Sequence, residues 1–553
     1  MLSAACRFVN IGNMISFFTV VATALLLSTG AGATEIDVRG DGEPLEHFWS
    51  VGVGAGRVGE AMRAGWLEQF AMVREHCGYK YIRMHALFND DMFVYKRRYK
   101  DNPYNFQYID EVYDRLLDMG AKPFVELSFF PRDIAAKGSK TQFWYKAYFT
   151  PDVNKYPRWA ELVKATLRHW IERYGIEEVS SWYFEVWNEP DLTDGFFDGT
   201  RDEYFELYRI TALAVKEVDA RLRVGGPATS NFVADTRHDG PVQDYSLSKT
   251  WPRETVNQQQ WKGPWIREFL EFCEKEGLPL DFLSSHPYPM DASLEPDEGG
   301  YVRTYRYIHA TRDDLTWLRS ALEGSAFKDR PIFVTEWNVS SKGRDLLHDI
   351  LPPGATVIKA FMECAGLAKG LFWWTFTDIF EEGGGGWEIF HGGFGQVNFQ
   401  GIVKPVFHAY RLLNSLGDRR LYYEDPLVVT KDSKSGKVSA ICFNYPEEYL
   451  SCMPSEHCVE NYMEASSRQV DFTLTGLRRG ARFSLELIDD THGNAYRRWQ
   501  EMGSPHSPTR EQIAELKAAA WDTVHEELHA NKHGRLRVTR DLSPWAFFLI
   551  KEI

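Results

Sequence analysis

Ser181-Trp182-Tyr183-Phe184-Glu185-Val186-Trp187-Asn188-Glu189-Pro190-Asp191 runs almost wholly aromatic and apolar and then stops. Apolar residues on both faces mark a parallel strand covered on each side, not a half-exposed hairpin. Pro190 cannot continue the pairing, so Asn188 and Glu189 fall where strand passes into loop. Pro331-Ile332-Phe333-Val334-Thr335-Glu336-Trp337-Asn338 has the same shape, a short apolar strand delivering one glutamate at its carboxyl end. In a parallel barrel all strand carboxyl ends open on one face, and that face carries the chemistry.

Outward from these two stretches, strand and helix signals alternate. Further strands are expected at Trp49–Gly54, Tyr79–His85, Lys122–Phe130, Arg223–Pro227, Asp281–Ser285 and Gly370–Phe376. Between them run helical spacings such as Met62, Trp66, Phe70 and Val73, closed by Gly78. Eight alternations predict a (β/α)8 barrel over residues 49–412, with the two glutamates on strands four and seven. Past Leu413 the rhythm changes to short alternating strands, which predicts a C-terminal β-sandwich over 413–553 with a helical insertion near 507–530. The segment 34–48 is expected to add an edge strand to that sandwich. Gly383 to Gly386 reads equally as a rim loop at the catalytic mouth or as a tight turn.

Composition narrows the partners. A net charge of −15 argues against nucleic acid, whose binders need a basic face. The 14% aromatic content, with 18 Trp and 26 Tyr, suits sugar faces as well as core. Arg7, the apolar run Phe17 to Leu27 and Ala31-Gly32-Ala33 read as a secretory signal over residues 1–33, which implies a periplasmic or secreted protein. That run is short for a bilayer span, and no cysteine follows it, so no membrane anchor is expected. Cys77, Cys273 and Cys364 read as buried thiols, while Cys452 and Cys458 are placed for a disulfide. His457-Cys458 lacks zinc spacing, and no metal or cofactor is expected.

Two glutamates at strand ends are what glycoside hydrolysis requires: one protonates the leaving oxygen and the other meets the developing oxocarbenium carbon. Trp187-Asn188-Glu189-Pro190 and Thr335-Glu336-Trp337-Asn338 resemble the acid/base and nucleophile motifs of glycoside hydrolase family thirty-nine, which holds β-xylosidases and α-L-iduronidase. Tyr81 to His85, Ser285 to Pro289, Trp373 to Glu382 and His391 to Gly395 extend the resemblance, the last towards the xylosidase branch. It implies Glu189 as acid/base, Glu336 as nucleophile and Asn188 on the sugar 2-hydroxyl. It also implies that His85, His286 and Tyr288 line the first subsite, with Glu381 and Glu382 gripping sugar hydroxyls. Trp374 is expected to floor that subsite, and Arg83 to keep Glu336 charged. The apolar walls of Trp187 and Phe196 are expected to raise the Glu189 pKa. The iduronidase branch carries a lysine where this chain has Tyr288, and Glu381 and Glu382 would repel a uronate. A neutral pentose follows, β-D-xylose first and α-L-arabinopyranose as the alternative, in short oligosaccharides or glycosides. The non-enzyme alternative is a saccharide-binding barrel without turnover.

Overall fold

The computed structural model of the protein describes residues 34–99, 101–192, 195–230, 265–294, 301–305, 309–446 and 459–553. The expected leader and the Cys452–Cys458 pair lie outside them. Eight parallel strands close on themselves: β1 Gly52–Arg57, β2 Tyr81–His85, β3 Lys122–Leu127, β4 Tyr183–Val186, β5 Arg223–Thr229, β6 Phe282–Ser285, β7 Ile332–Trp337 and β8 Gly370–Trp373. Helices α1 Ala64–Cys77, α2 Gln107–Asp118, α3 Tyr156–Tyr174, α4 Arg201–Val218, α5 Ile266–Lys275, α6 Ala310–Glu323, α7 Pro352–Cys364 and α8 Pro405–Leu413 follow the strands in turn. Trp373 opposite Val53 seals β8 to β1. The fold is therefore the eightfold barrel that the alternation predicts.

The first strand starts later than expected. Phe48–Ser50 makes a 3₁₀ turn instead, and Trp49 stacks on Phe361 of α7. The strand begins at Gly52 because the barrel wall there must be thin: a Cβ at Gly52 would run into the Phe372 ring, and one at Gly54 would lie 2.5 Å from Trp374.

Within the barrel, side chains of alternate residues point to the axis. At its lower end Phe124, Phe282, Phe333 and Phe372 form a plug, with ring centroids 5.2–6.2 Å apart in edge-on pairs. Tyr81 and Tyr183 pack against it. Truncating one ring leaves a cavity that β-strands on all sides cannot collapse into. Phe333→Ala is expected to lower unfolding free energy by about 3–5 kcal/mol, read as a shifted denaturant midpoint; an unchanged midpoint would contradict this layer's role.

Two further sheets lie beyond the barrel. The larger orders Glu43–Pro44, Arg419–Glu424, Leu427–Lys431, Val438–Phe443, Phe547–Glu552, Arg482–Ile488 and Val524–His529. The smaller pairs Thr34–Asp37, Arg468–Thr475 and Leu536–Leu542. Val429, Cys442, Phe472, Leu485, Val538 and Ile550 pack between them. Residues 34–48 thus supply one strand to each sheet. The helical insertion is shorter than expected: it covers Arg510–Trp521, opened by a Thr509–Gln512 capping box, and Val524–His529 is an edge strand. Asp522 and Thr523 break the helix, and the Val524 and Leu528 side chains fall on one face of the pleat. Phe390, in the loop after β8, meets Tyr496 and Trp499 edge-on and ties the sheets to the barrel. Among the described residues, no helix is long and apolar enough to cross a membrane.

Candidate active site

Strand β4 keeps strict alternation as far as Glu185: Tyr183 and Glu185 face the axis, while Phe184 lies against Trp170 of α3. Trp187 then takes φ +74° and Glu189 φ +41°, left-handed values that non-glycine residues adopt at a cost and that concentrate at functional sites. The first kink turns Trp187 outward among Phe130, Trp159 and Phe197. Its indole donates to the Phe196 carbonyl at 2.9 Å. Alternation is thereby reset, and Asn188 and Glu189 both join Glu185 on the inside. Glu189 N donates to Ala228 O across the strand end (2.9 Å). In β7 the same result comes from a register shift against β8 between Val334 and Trp337. It lets Thr335 and Glu336 both reach the axis.

One guanidinium organises what collects there. Arg83 is fully buried and donates to Glu185 Oε2 (2.6 Å), Glu336 Oε1 (2.7 Å) and Asn188 Oδ1 (2.9 Å), with Glu126 Oε2 also at 2.9 Å. Since Arg83 fixes the Asn188 oxygen, the amide nitrogen must face the other way; buried Nδ2 has no partner among the described residues. His85 Nδ1 sits 2.5 Å from Glu126, and its Nε2 lies 3.4 Å from both Glu336 and Glu382. Tyr288 donates its hydroxyl to Glu336 Oε2 (3.1 Å), and His286 Nδ1 lies 2.8 Å from Glu189 Oε1.

These contacts separate the two carboxyls electrostatically. Burial, reinforced by Glu336 and Asp191, pushes Glu189 well above the ordinary carboxylate range. Burial also raises Glu336, but Arg83 and His85 oppose it there. Burial alone would lower His85, yet Glu126, Glu382 and Glu336 carry it to about 9, so it stands as a cation beside Glu336. Glu382 is pushed up to about 8 by burial. The pair therefore shares its charge unequally, with the proton on Glu189 and the negative charge on Glu336. Such a site can give a proton to one atom and place a carboxylate against its neighbour.

The expected residues are mostly, not wholly, brought together. Asn188, Glu189, His85, His286, Tyr288 and Glu336 converge. Trp374 joins them, its ring 4.6 Å from His85 and its carbonyl held by Asn338 Nδ2 at 2.5 Å. Phe196 lies 6.2 Å from His85 and stacks on Phe129 at 6.1 Å. Trp187 is no wall for Glu189, because the kink sends it into the layer beneath α3. Glu381 and Glu382 part company: Glu382 faces His85, whereas Glu381 pairs with Arg63 and, at 3.7 Å, with Arg57. The glycine run begins in a tight turn over residues 381–384, with Gly384 N donating to Glu381 O and Gly384 O accepting from Arg344. Glu126, Glu185 and Thr335 escaped the sequence reading. Their signal was present in the i, i+2 steps Phe124-Glu126, Tyr183-Glu185 and Phe333-Thr335, each a polar group above a ring of the plug.

Glu189, His286 and Glu336 offer ligand atoms within 4.8 Å of one another, a span that would admit a cation. Arg83 and Tyr288 each donate to one Glu336 oxygen, and the positive charges of Arg83 and His85 beside the cluster oppose a further cation there.

The sequence profile of Glycosyl hydrolases family 39 matches residues 33–248 and 259–537. A β-xylosidase of Caldicellulosiruptor saccharolyticus is 36% identical over 482 residues, 86% of this chain and 89% of that protein. Another, from Geobacillus stearothermophilus, is 32% identical over 501 residues, 88% of this chain and 89% of its own. The crystal structure of a monomeric β-xylosidase from Caulobacter crescentus superposes with a TM-score of 0.79 at 29% identity, covering 94% of this chain and 99% of that one. The chain belongs to glycosyl hydrolase family 39 and is an O-glycosyl hydrolase.

Proposed function

We propose that the protein is a retaining exo-glycosidase that cleaves β-D-xylosidic bonds of short xylo-oligosaccharides, with Glu336 as nucleophile and Glu189 as general acid/base. The observation that carries this reading is the pair itself: carboxyl oxygens within 4.8 Å, one bound to Arg83 and the other not. Retaining enzymes hold their carboxyls about 5–5.5 Å apart, too close for a water to enter between them and attack directly. Glu336 attacks the anomeric carbon while Glu189 protonates the leaving oxygen. Water, deprotonated by Glu189, then releases the sugar with its original configuration.

The xylose assignment rests on the similarity to β-xylosidases and on the walls of the site. Tyr288 and Glu382 supply hydroxyl partners where a uronate would need a cation. Hydrolysis of aryl β-D-xyloside, α-L-arabinopyranoside and α-L-iduronide is the test. Turnover concentrated on the xyloside, and xylotriose trimmed one unit at a time, are expected. Preference for the iduronide would overturn the substrate reading.

Asn188 Nδ2 is the unpartnered donor placed for the sugar 2-hydroxyl, a contact that strengthens as the oxocarbenium ion forms. Asn188→Ala is expected to lower kcat by about 10²–10³-fold. On a 2-deoxy-xyloside, parent and variant should differ far less. An equal loss on both substrates would show that Asn188 acts elsewhere.

A further inference from the structure

Thr335 and Glu185 have no part in the bond-breaking steps above, yet both are fully buried at the barrel axis. The Thr335 hydroxyl donates to Glu185 Oε1 at 2.8 Å, and Glu185 Oε2 accepts from Arg83. A hydroxyl has one proton to give. With that proton committed to Glu185, the Thr335 oxygen is an acceptor towards His286 Nε2, 3.0 Å away. Nε2 therefore carries the ring hydrogen. In a neutral imidazole Nδ1 is then a bare lone pair, 2.8 Å from Glu189 Oε1, and the only hydrogen available to that contact is the carboxyl's own.

We propose that Glu185 and Thr335 are positioning residues that fix the His286 tautomer, so that His286 accepts a hydrogen bond from Glu189 and holds it as the acid between turnovers. The inference rests on Glu189 being the acid/base. The contacts run from Glu185 on β4 through Thr335 on β7 and His286 after β6 to Glu189 after β4. One carboxylate thus addresses both halves of the pair: Oε2 steadies the Arg83 that holds Glu336, and Oε1 sets the ring that holds Glu189.

The surrounding charges agree with a neutral ring. His286 faces the cations Arg83 and His85 and has Glu336 Oε2 at 3.8 Å; burial and those cations keep its basicity well below the ordinary imidazole value. Glu189 faces Glu336, Asp191 and Glu382, and Arg83 opposes them. In turnover the proton leaves Glu189 for the aglycone oxygen and returns from the attacking water, while His286 gains and loses none. Between those steps the Glu189 carboxylate meets a lone pair instead of a donor, which makes it the stronger base towards that water.

Thr335→Val is isosteric and removes the acceptor from Nε2. The ring is then free to carry its hydrogen on Nδ1 and donate to the Glu189 carboxylate, which favours the ionised form. The alkaline limb of kcat/KM, on whichever glycoside the enzyme turns over, should move down by about one pH unit. Thr335→Ser should restore it. A purely structural loss would lower the rate without moving the limb. Nitrogen-15 spectra of histidine-labelled enzyme, with the His286 signals identified by their absence in His286→Gln, should show a neutral Nε2–H ring in the parent. A parent ring protonated on Nδ1 would overturn the proposal. So would a limb that Glu189→Gln abolishes but Thr335→Val leaves in place. A limb that survives Glu189→Gln would instead sink the acid/base assignment beneath it.

Discussion

Replacing Glu336 by alanine is expected to abolish turnover, lowering kcat by at least about 10⁴-fold even on aryl glycosides with good leaving groups. Among the described residues, Arg83, His85 and Tyr288 are all turned towards Glu336 itself, and none of the three offers a carboxylate in its place. The enlarged pocket should accept azide, and azide attacking in a single displacement would yield the α-glycosyl azide. Arg83 keeps its contacts to Glu185, Glu126 and Asn188 in the variant, so folding should be preserved. Circular dichroism and a thermal melt check that point. Activity within tenfold of the parent, from a folded variant, would remove Glu336 from its role.

Glu189→Ala should behave differently, because the acid matters in proportion to how badly the leaving group needs a proton. On a xylo-oligosaccharide the expected loss is about 10²–10⁴-fold. On a dinitrophenyl glycoside, whose leaving group departs as the anion, cleavage of the bond should be nearly unaffected. The glycosyl-enzyme should then accumulate, since no base activates water. Azide should relieve that block and give the β-glycosyl azide, the opposite anomer from the Glu336 variant. The pH profile carries a second signature. Burial, Glu336 and Asp191 raise the Glu189 pKa, so the required proton is present at neutral pH and lost as pH rises through that raised value. The variant should lose this alkaline limb. Equal losses on good and poor leaving groups would contradict the assignment.

The barrel was legible because its signals are strong and redundant. Strands such as Tyr183–Val186 are apolar on both faces, helices carry clear periodicity, and glycines such as Gly78 and Gly175 end them. Boundaries were less so. The first strand was expected from Trp49, but a ring of that size fits beneath α7 and not in a wall built of glycine. The glutamate pair was readable because each residue ends an apolar run, Glu189 between Asn188 and Pro190 and Glu336 two residues before Asn338. The groups that tune the pair were not. Glu126, Glu185 and Thr335 each appear as one polar residue in an apolar stretch, and only closure of the barrel brings them to a common axis. Trp187 misled because plain alternation would put it inside, whereas a left-handed φ of +74° reverses it. Glu381 and Glu382 are adjacent in sequence, yet Arg63 and Arg57 draw the first away.

The most direct test of the account is to trap the glycosyl-enzyme. A 2-deoxy-2-fluoro-β-D-xyloside with an activated leaving group should inactivate the enzyme, because fluorine at C2 slows the second step more than the first. Mass spectrometry of the digested protein should find the fluoroxylosyl group on the peptide carrying Glu336, as an ester to that side chain. Attachment to Glu189 would reverse the two roles. An enzyme that turns over xyloside but forms no adduct, and releases α-xylose first, would contradict the double displacement itself.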